Sequence, residues 1–230
     1  SKKPFQRISF AESMLKYGTD KPDLRIPIEI CDVTNIFNSE EVKFDIFKKQ
    51  IKKKAVVRAI PVINTSTKAR SFFDNLDVWA KELGAGGLAY ISFNMKNGKI
   101  SGLGPIAKFF SDNALKKLSN LCNSKDGDSI FFICDQTKEA EKYSGLVRIK
   151  IANELNLIEK NVFKFCWITD FPIYQYDEEK KKLDFSHNPF SMPNISYDEF
   201  DSIDPLKILA KQYDLVCNGF EISSGAIRNH

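Results

Sequence analysis

Four residues near the carboxyl end of this 230-residue chain carry side chains that can act on small charged molecules. His187 is one of only two histidines, and an imidazole can carry a proton near pH 7 or contact a substrate. Asp214 and Glu221 are carboxylates of the kind that hold Mg²⁺ between phosphate oxygens. Arg228 carries a guanidinium, which can bind a carboxylate through two parallel hydrogen bonds.

Each of these residues also has a purely structural interpretation. His187 can be a strand-end histidine satisfied by the backbone, and an exposed Arg228 would simply be surface charge. Asp214 and Glu221 are seven residues apart on one predicted strand, and an odd spacing puts two side chains on opposite faces of a regular strand. They share a site only if Gly219 marks a bulge or bend, or if Asp214 lies before the strand begins.

The common catalytic signatures are absent from the sequence. It contains no glycine-rich dinucleotide or phosphate loop, no zinc-protease motif and no serine-hydrolase motif. The five cysteines are odd in number, widely spaced and without a CxxC pair, which argues against a zinc site. We therefore expect reduced, buried thiols of a cytoplasmic protein.

Composition indicates a globular protein. Hydrophobic residues make up 43% of the chain and charged residues 28%, which excludes a disordered chain and a fibrous repeat. The formal net charge of +4 is compatible with nucleic-acid contact but too small to argue for it. No apolar run approaches the roughly 18 residues of a membrane helix, and no leader of signal-peptide type is visible.

The central part of the chain predicts a self-contained α+β domain. Strand-like apolar runs, segments with helical spacing and one Asn-Gly hairpin signal alternate along it. The strands are predicted at 28–33, 55–63, 88–93 and 129–134, the helices at 67–83, 105–121 and 137–155, and the hairpin turn at 97–98. This order is typical of one domain of about 130 residues.

A basic stretch lies inside this central domain. Residues 43–70 carry nine lysines and arginines, opposed only by Asp45. The stretch is either a solvated face or a surface that meets the phosphates of RNA.

The flanking segments predict a different structure. A helix is predicted at 5–17, with Ser9 as its N-cap and Gly18 as its end. After the central domain, a strand at 163–170 leads into an antiparallel hairpin that ends near 188. A helix at 204–212 and a strand at 215–222 follow. The sequence stops in an extended segment, so we expect the chain to be a piece of a longer protein.

Several ordered motifs give the chain a strong family resemblance. They are Tyr17-Gly-Thr-Asp-Lys-Pro-Asp-Leu-Arg25, Leu83-Gly-Ala-Gly-Gly-Leu-Ala-Tyr-Ile91, Asp126-Gly-Asp128, Asp170-Phe-Pro172, His187-Asn-Pro-Phe190 and Tyr213-Asp-Leu-Val-Cys-Asn-Gly-Phe-Glu221. In this order they closely resemble the bacterial and mitochondrial type of aspartyl-tRNA synthetase, a class II enzyme. The resemblance implies a GAD-type insertion domain at 29–157. It also implies that 1–28 and 158–230 are parts of the antiparallel catalytic domain, truncated before the third class II motif.

The resemblance also implies a reaction. In such enzymes aspartate attacks the α-phosphate of ATP to give aspartyl-adenylate, and the aspartyl group then passes to tRNA(Asp). His187 and Arg228 match positions that bind aspartate, and Arg228 would hold its side-chain carboxylate. Asp214 and Glu221 match positions that hold Mg²⁺, and Glu221 also matches an ATP-binding position. The whole enzyme would be a cytoplasmic homodimer that uses L-aspartate, ATP and tRNA and does not contact a membrane.

The sequence also departs from the family pattern. Asn188 replaces a second histidine, Ser223 and Ser224 replace glycines, and Ala226 replaces a serine. The anticodon-binding domain and all three class II motifs are missing, so we expect the chain alone to be inactive in aminoacylation. The alternative hypothesis is a non-catalytic tRNA-binding or adaptor protein built on the insertion domain.

Overall fold

The computed structural model describes residues 4–96, 99–177 and 180–229. The chain divides into two compact units. The first, called the sheet unit here, comprises residues 1–14, 20–25 and 159–230. The second, called the inserted unit, comprises residues 15–19 and 26–158 and therefore interrupts the first in sequence.

The secondary structure alternates between strands and helices as far as α6 and consists mainly of strands after it. In chain order the elements are β1 (Gln6–Ser9), α1 (Phe10–Tyr17), β2 (Cys31–Asp32), α2 (Thr34–Asn38), α3 (Asp45–Ile51), β3 (Val56–Val62), α4 (Arg70–Glu82), β4 (Ala89–Lys96), β5 (Lys99–Leu103), α5 (Asp112–Leu121), β6 (Ser129–Asp135), α6 (Thr137–Glu154), β7 (Phe165–Pro172), β8 (Tyr174–Asp177), β9 (Lys182–Phe185), β10 (Leu209–Cys217) and β11 (Phe220–Ala226). Short 3₁₀ turns occur at Ala107–Phe109, Tyr197–Ser202 and Pro205–Lys207.

The inserted unit is a five-stranded antiparallel sheet with an apolar cluster on each face. Its strand order is β2-β3-β6-β4-β5. Phe131 and Ile133 of β6 pack on one side with α4 and α6, and Ile130 and Phe132 pack on the other side with α2 and α5. Because β6 is buried on both faces, its sequence is a continuous apolar run.

The predictions for the central domain are largely confirmed, with two corrections. The strands β3 and β6 and the helices α4 and α6 fall where the apolar spacing indicated. The helix predicted at 105–121 is wrong in its first part, because a 3₁₀ turn and an extended Phe110 precede α5, which Ser111 caps. The helices α2 and α3 were not predicted, since each is shorter than two turns. Strands β4 and β5 pair antiparallel, and the turn residues 97–98 lie outside the described residues.

The sheet unit contains a four-stranded sheet of order β1-β7-β10-β11. Strands β1 and β7 are parallel, and the other pairs are antiparallel. Ile8 stands opposite Ile168 and Cys166 opposite Val216, and all four are buried on one face of the sheet. A separate hairpin of β8 and β9 agrees with the predicted antiparallel hairpin.

Two helix predictions for the flanks are wrong. The segment 5–17 begins as strand β1, and the helix starts only at Phe10, where the Ser9 hydroxyl accepts a hydrogen bond from the Glu12 amide. Residues 209–212, predicted as helix, belong to strand β10. The side chains of β10 alternate between buried and exposed from Ala210 to Asp214, and this period of two is that of a strand at a half-covered sheet.

The cysteine thiols are all free, and three of the five cysteines are buried. The other two, Cys31 and Cys134, are partly exposed, which corrects the expectation of full burial. Desolvation by burial raises the pKa of Cys134 to about 12 and that of Cys166 to about 11, so these thiols are protonated at neutral pH. In the described part of the chain, no helix is long and apolar enough to cross a membrane.

Gly18 allows a close backbone contact within the inserted unit. Its φ is +69°, and a Cβ atom there would lie 2.3 Å from the carbonyl oxygen of Glu141 and 2.6 Å from Cα of Gly145. Both contacts are with α6 backbone, which cannot yield as a flexible side chain can. Any other residue at position 18 would therefore force this loop away from α6.

We expect Gly18→Ala to lower the free energy of unfolding by about 3 kcal/mol, because positive φ and overlap with backbone add together. Thermal or urea unfolding of the chain measures this. Gly86→Ala is the matched control, since nothing lies within 4 Å of its Cβ position, and it should change stability by less than about 0.5 kcal/mol. Equal stability of the two variants would contradict this packing.

Candidate active site

Asp214 is the buried acid of the candidate site. It lies within β10, is 4% exposed, and stands opposite Ile168 of β7 and Ser224 of β11, so these side chains share one face of the sheet. Oδ1 of Asp214 has no hydrogen-bond partner among the described residues. A buried carboxylate oxygen without a partner is costly, and it marks a position where a cation or a donor group fits.

A tight turn separates Asp214 from Glu221. Asn218 and Gly219 connect β10 to β11 with φ values of 52° and 87°, as a two-residue type I′ hairpin turn requires. The single strand predicted at 215–222 is therefore wrong, because two antiparallel strands meet there. Asn-Gly is the sequence signal of such a turn.

The hairpin turn places Glu221 on the face that carries Asp214. Across the two-residue turn Cys217 pairs with Phe220 and Val216 with Glu221, so Glu221 and Val216 share a face. Val216 and Asp214 are two residues apart on β10 and point to the same side. The bend at Gly219 therefore offsets the odd spacing of Asp214 and Glu221. A one-residue bulge follows at Ile222, and it places Ser224 instead of Ser223 opposite Asp214.

The loop that follows α1 contributes two further charged residues to the site. The ammonium group of Lys21 lies 3.1 Å from Asp20 and 3.4 Å from Glu221. The same loop is braced by Arg25, which binds both carboxylate oxygens of Asp23 at 2.7–3.2 Å. From the sequence, Asp20 and Lys21 are predicted only to lie in a polar loop, and their place in the site is not apparent. The only local signal is the pair of charges between Gly18 and Pro22.

Burial and neighbouring charges both shift the pKa values of the residues in this cluster. Desolvation raises the pKa of Asp214, and the nearby carboxylates of Glu221 and Asp20 raise it further, while Ser224 and Lys21 lower it. Although burial alone would lower the pKa of Lys21, its two carboxylate partners raise it above the usual value. The site therefore has an excess of negative charge, which favours a cation.

His187 lies beside this acidic cluster. It follows β9 in a bend, not in the strand where it was expected, and its ring packs edge-on against Phe10 and Phe171 at 5.3 and 5.1 Å between centroids. Desolvation lowers the pKa of His187, although Asp20 and Asp214 oppose that shift. The imidazole is therefore neutral near pH 7 and can both donate and accept a hydrogen bond.

Arg228 stands apart from the acidic cluster. It pairs as an isolated bridge with Ser191, whose hydroxyl lies 3.4 Å from the Gln212 side chain, so Arg228 belongs to the face that carries Gln212 and Asp214. Its guanidinium is exposed and lies 6.0 Å from the Phe190 ring centre. Within the described ranges it makes no ion pair, so it is available to an anion. The structure thus brings His187, Asp214 and Glu221 together and leaves Arg228 at the margin.

The opposite face of the same sheet carries a different cavity. It has a volume of about 810 Å³ and is lined in part by Arg7, Trp167, Lys211 and Tyr213. Gln212 also lines it, and none of the four predicted site residues does.

The donor set of the acidic cluster fits Mg²⁺. Throughout the described ranges, no group of three or more His, Cys, Asp and Glu side chains is arranged to hold a metal ion. Mg²⁺ does not need such a group, because it is commonly bound by one or two carboxylates, several waters and substrate phosphates. The unpartnered Oδ1 of Asp214 and the half-exposed carboxylate of Glu221 meet this requirement.

Only some of the basic side chains at residues 43–70 of the inserted unit are exposed. Arg58 is buried and binds Asp32 at 2.5 Å, and Arg70 pairs with Asp74 at 3.3 Å. Lys68 is exposed and lies 5.9 Å from the Phe72 ring centre. The other exposed cations of the stretch cluster on α3 and its two ends, and they are Lys43, Lys49, Lys52, Lys53 and Lys54. Where the structure describes the chain, no carboxylate neutralises these five, and we call them the lysine cluster.

Comparisons with known proteins agree on one family. The family model described as tRNA synthetases class II (D, K and N) matches residues 1–230. The chain is 53% identical over 226 residues to the aspartate–tRNA(Asp/Asn) ligase of Pelagibacter ubique, covering 98% of this chain and 38% of that protein. It is 54% identical to the ligase of the same name from Rickettsia canadensis, covering 100% of this chain and 38% of that protein. The chain thus spans little more than a third of these relatives.

We expect Asp214→Asn to raise the free energy of unfolding at pH 7 by about 1 kcal/mol, because it removes a desolvated charge and keeps the shape. The folded state raises the pKa of Asp214, so folding favours the protonated acid. As the pH falls below both the folded pKa and the unfolded value near 3.9, the acid is neutral in both states and the difference should vanish.

Urea unfolding at a series of pH values tests this prediction. The exposed Asp198→Asn serves as the control, and it should differ from the unaltered chain by only a few tenths of a kcal/mol at any pH. If Asp214→Asn is less stable at pH 7, the carboxylate is not penalised by burial and the description is wrong.

Proposed function

Because the chain belongs to the class II tRNA synthetase family, we propose that it forms part of an aspartate–tRNA ligase. The observation that carries this proposal is the acidic pocket of Asp214 and Glu221, beside a neutral His187, on one face of an open sheet. A class II ligase needs such a pocket for the metal-bound phosphates of ATP and the amino acid. We further propose that the inserted unit is the GAD-type domain of the enzyme.

In the proposed reaction, an oxygen of the α-carboxylate of L-aspartate attacks the α-phosphorus of ATP and displaces pyrophosphate. A hydroxyl group of the terminal adenosine of tRNA then attacks the carbonyl carbon of aspartyl-adenylate and displaces AMP. No protein side chain forms a bond in either step. The residues therefore act by positioning the reactants and by compensating charge.

Asp214 and Glu221 would hold Mg²⁺, and Glu221 would also face ATP. When bound, the metal neutralises phosphate charge during the displacement of pyrophosphate. Oδ1 of Asp214 supports this role because no other described group satisfies it. Lys21 balances Glu221 and Asp20, which keeps the pocket from being too acidic for a polyanion.

His187 and Arg228 would bind L-aspartate. A neutral His187 can donate or accept a hydrogen bond and adds no positive charge beside the metal, since burial lowers its pKa. Arg228 would bind the side-chain carboxylate of the substrate with two parallel hydrogen bonds. Asparagine is neutral and cannot form this charged pair, so the same contact gives specificity.

We extend the proposal to the tRNA acceptors. The relatives are named aspartate–tRNA(Asp/Asn) ligases, so we propose both tRNA(Asp) and tRNA(Asn) as acceptors of the longer protein. By the same likeness, that protein would be a cytoplasmic homodimer.

The lysine cluster favours a second function, which is nucleic-acid binding. This function does not depend on whether the chain takes part in catalysis. Five exposed ammonium groups within twelve residues form a local positive field that attracts nucleic-acid phosphates. We propose that the inserted unit contacts tRNA through this surface.

We expect Arg228→Gln in the longer protein to lower kcat/KM for L-aspartate about a hundredfold in ATP–pyrophosphate exchange, because one member of a charged pair is lost. Discrimination against L-asparagine should shrink with it. Arg228→Lys keeps the charge but not the planar geometry and should recover only part of the activity.

Arg7→Gln provides the control, since Arg7 is an exposed arginine on the opposite face of the same sheet. It should leave the exchange reaction unchanged. We expect no exchange by the 230-residue chain alone. An Arg228→Gln protein as specific for aspartate as the unaltered one would exclude the proposed role.

We expect replacement of Lys49, Lys52 and Lys53 by Gln to weaken tRNA binding and to lessen its salt dependence. Each lost phosphate contact should reduce the slope of log K against log[salt] by about one unit. Fluorescence titration of tRNA between low and moderate salt measures both quantities.

A matched variant replaces the exposed Lys116, Lys125 and Lys138 of the same unit by Gln. It has the same net charge, so it separates a local surface from a general charge effect. Equal salt slopes for the two triple variants would contradict a tRNA contact at the lysine cluster.

A further inference from the structure

Lys21 places one ammonium group between two carboxylates at the edge of the acidic cluster. Its Nζ donates a hydrogen bond to Oδ2 of Asp20 at 3.1 Å and lies 3.4 Å from Oε2 of Glu221. The side chains of Lys21 and Glu221 are 38% and 37% exposed, so solvent reaches their ion pair. A ligand that approaches Glu221 therefore meets the ammonium group as well.

The position of Lys21 follows from how its loop packs on the turn between β10 and β11. A Cβ atom at Gly219 would lie 3.6 Å from Cβ of Asp23 and 3.9 Å from the carbonyl oxygen of Lys21, so the loop lies against the turn that leads into Glu221. The hydrogen bond to Asp20 holds the ammonium group from within the loop. Lys21 can therefore stay beside Glu221 when that carboxylate binds another partner.

A fixed positive charge acts in opposite directions on a metal ion and on the phosphates that the metal carries. It repels a divalent cation at Glu221, because like charges a few ångströms apart disfavour each other. It attracts phosphate oxygens, since an ammonium group is a common phosphate ligand in proteins. The cluster has three carboxyl groups and one ammonium group, so Lys21 weakens the attraction for a cation without abolishing it.

We propose that Lys21 makes metal binding at this pocket depend on polyphosphate: its ammonium group weakens the binding of a divalent cation alone to Asp214 and Glu221, and strengthens the binding of that cation together with the polyphosphate of a nucleotide. This inference rests on the proposed function, because it needs a metal at the acidic cluster. By thermodynamic linkage, metal and nucleotide then strengthen each other's binding by the same factor. A purely structural lysine would hold its loop and leave both affinities unchanged.

Two binding measurements on the longer protein test this inference without any assay of activity. Electron spin resonance of free Mn²⁺ gives the affinity for the cation alone, and equilibrium dialysis of a non-hydrolysable ATP analogue at saturating Mn²⁺ gives the affinity for the nucleotide. We expect Lys21→Gln to strengthen the first about fivefold and to weaken the second about fivefold, as for one partly exposed charge interaction. Lys21→Arg keeps the charge and should stay within about twofold of the unaltered protein in both.

Lys180→Gln is the matched control. The ammonium group of Lys180 also lies between two carboxylates, 3.1 Å from Asp177 and 3.5 Å from Asp184, but in the separate β8–β9 hairpin. Its replacement removes the same charge and should change each affinity less than about twofold. Should Lys21→Gln fail to fold by circular dichroism, Lys21→Met keeps the aliphatic stem, lacks the charge, and should show the same two shifts.

The outcomes separate this inference from the proposed function. Any result for the folded variant other than opposite shifts of the two affinities refutes the role of Lys21, while the metal site stands. If Asp214→Asn and Glu221→Gln leave both affinities unchanged, or the unaltered protein binds no Mn²⁺ even with the analogue, the metal site itself is refuted.

Discussion

One tight turn determines the geometry of the site. In a single continuous strand, the odd spacing of seven would put Glu221 on the face opposite to Asp214, and no cation could be bound by both. The Asn218–Gly219 turn brings β11 back along β10 and pairs Glu221 with Val216, on the face that carries Asp214. The bulge at Ile222 then shifts the rest of β11 by one residue, and the positions of Ser224 and Arg228 depend on that shift.

The electrostatic balance of the pocket follows from that geometry. Asp214 is buried, and Glu221 and Asp20 add negative charge near it, so ionised Asp214 is unfavourable without compensation. Lys21 and the hydroxyl of Ser224 compensate in part, and Oδ1 remains unsatisfied among the described groups. Such an arrangement sacrifices some stability of the fold for the ability to bind a cation, which is common at functional sites.

The sequence predicted those parts of the fold whose signals are local. The apolar runs of β3 and β6 and the spacing of α4 and α6 reflect burial of whole elements, and they indicated the right structures. The helix predicted at 204–212 is wrong, because Pro205 is typical of a helix start and the prediction gave it more weight than the alternating pattern that begins at Leu209. The hairpin at 218–219 carried the same Asn-Gly signal that predicted the turn at 97–98, yet the apolar residues around it favoured one continuous strand. The bulge at Ile222 depends on how β11 pairs with β10, and the approach of Lys21 to Glu221 depends on contact between distant segments. No local pattern in the sequence specifies either.

Anomalous diffraction from crystals of the longer protein, grown with Mn²⁺ and a non-hydrolysable ATP analogue, tests the central claim most directly. We predict one anomalous peak at bonding distance from both Oδ1 of Asp214 and the carboxylate of Glu221, with phosphate oxygens completing its coordination. A peak that contacts neither carboxylate, or density that shows Glu221 on the face of Trp167 and Tyr213, would contradict the account.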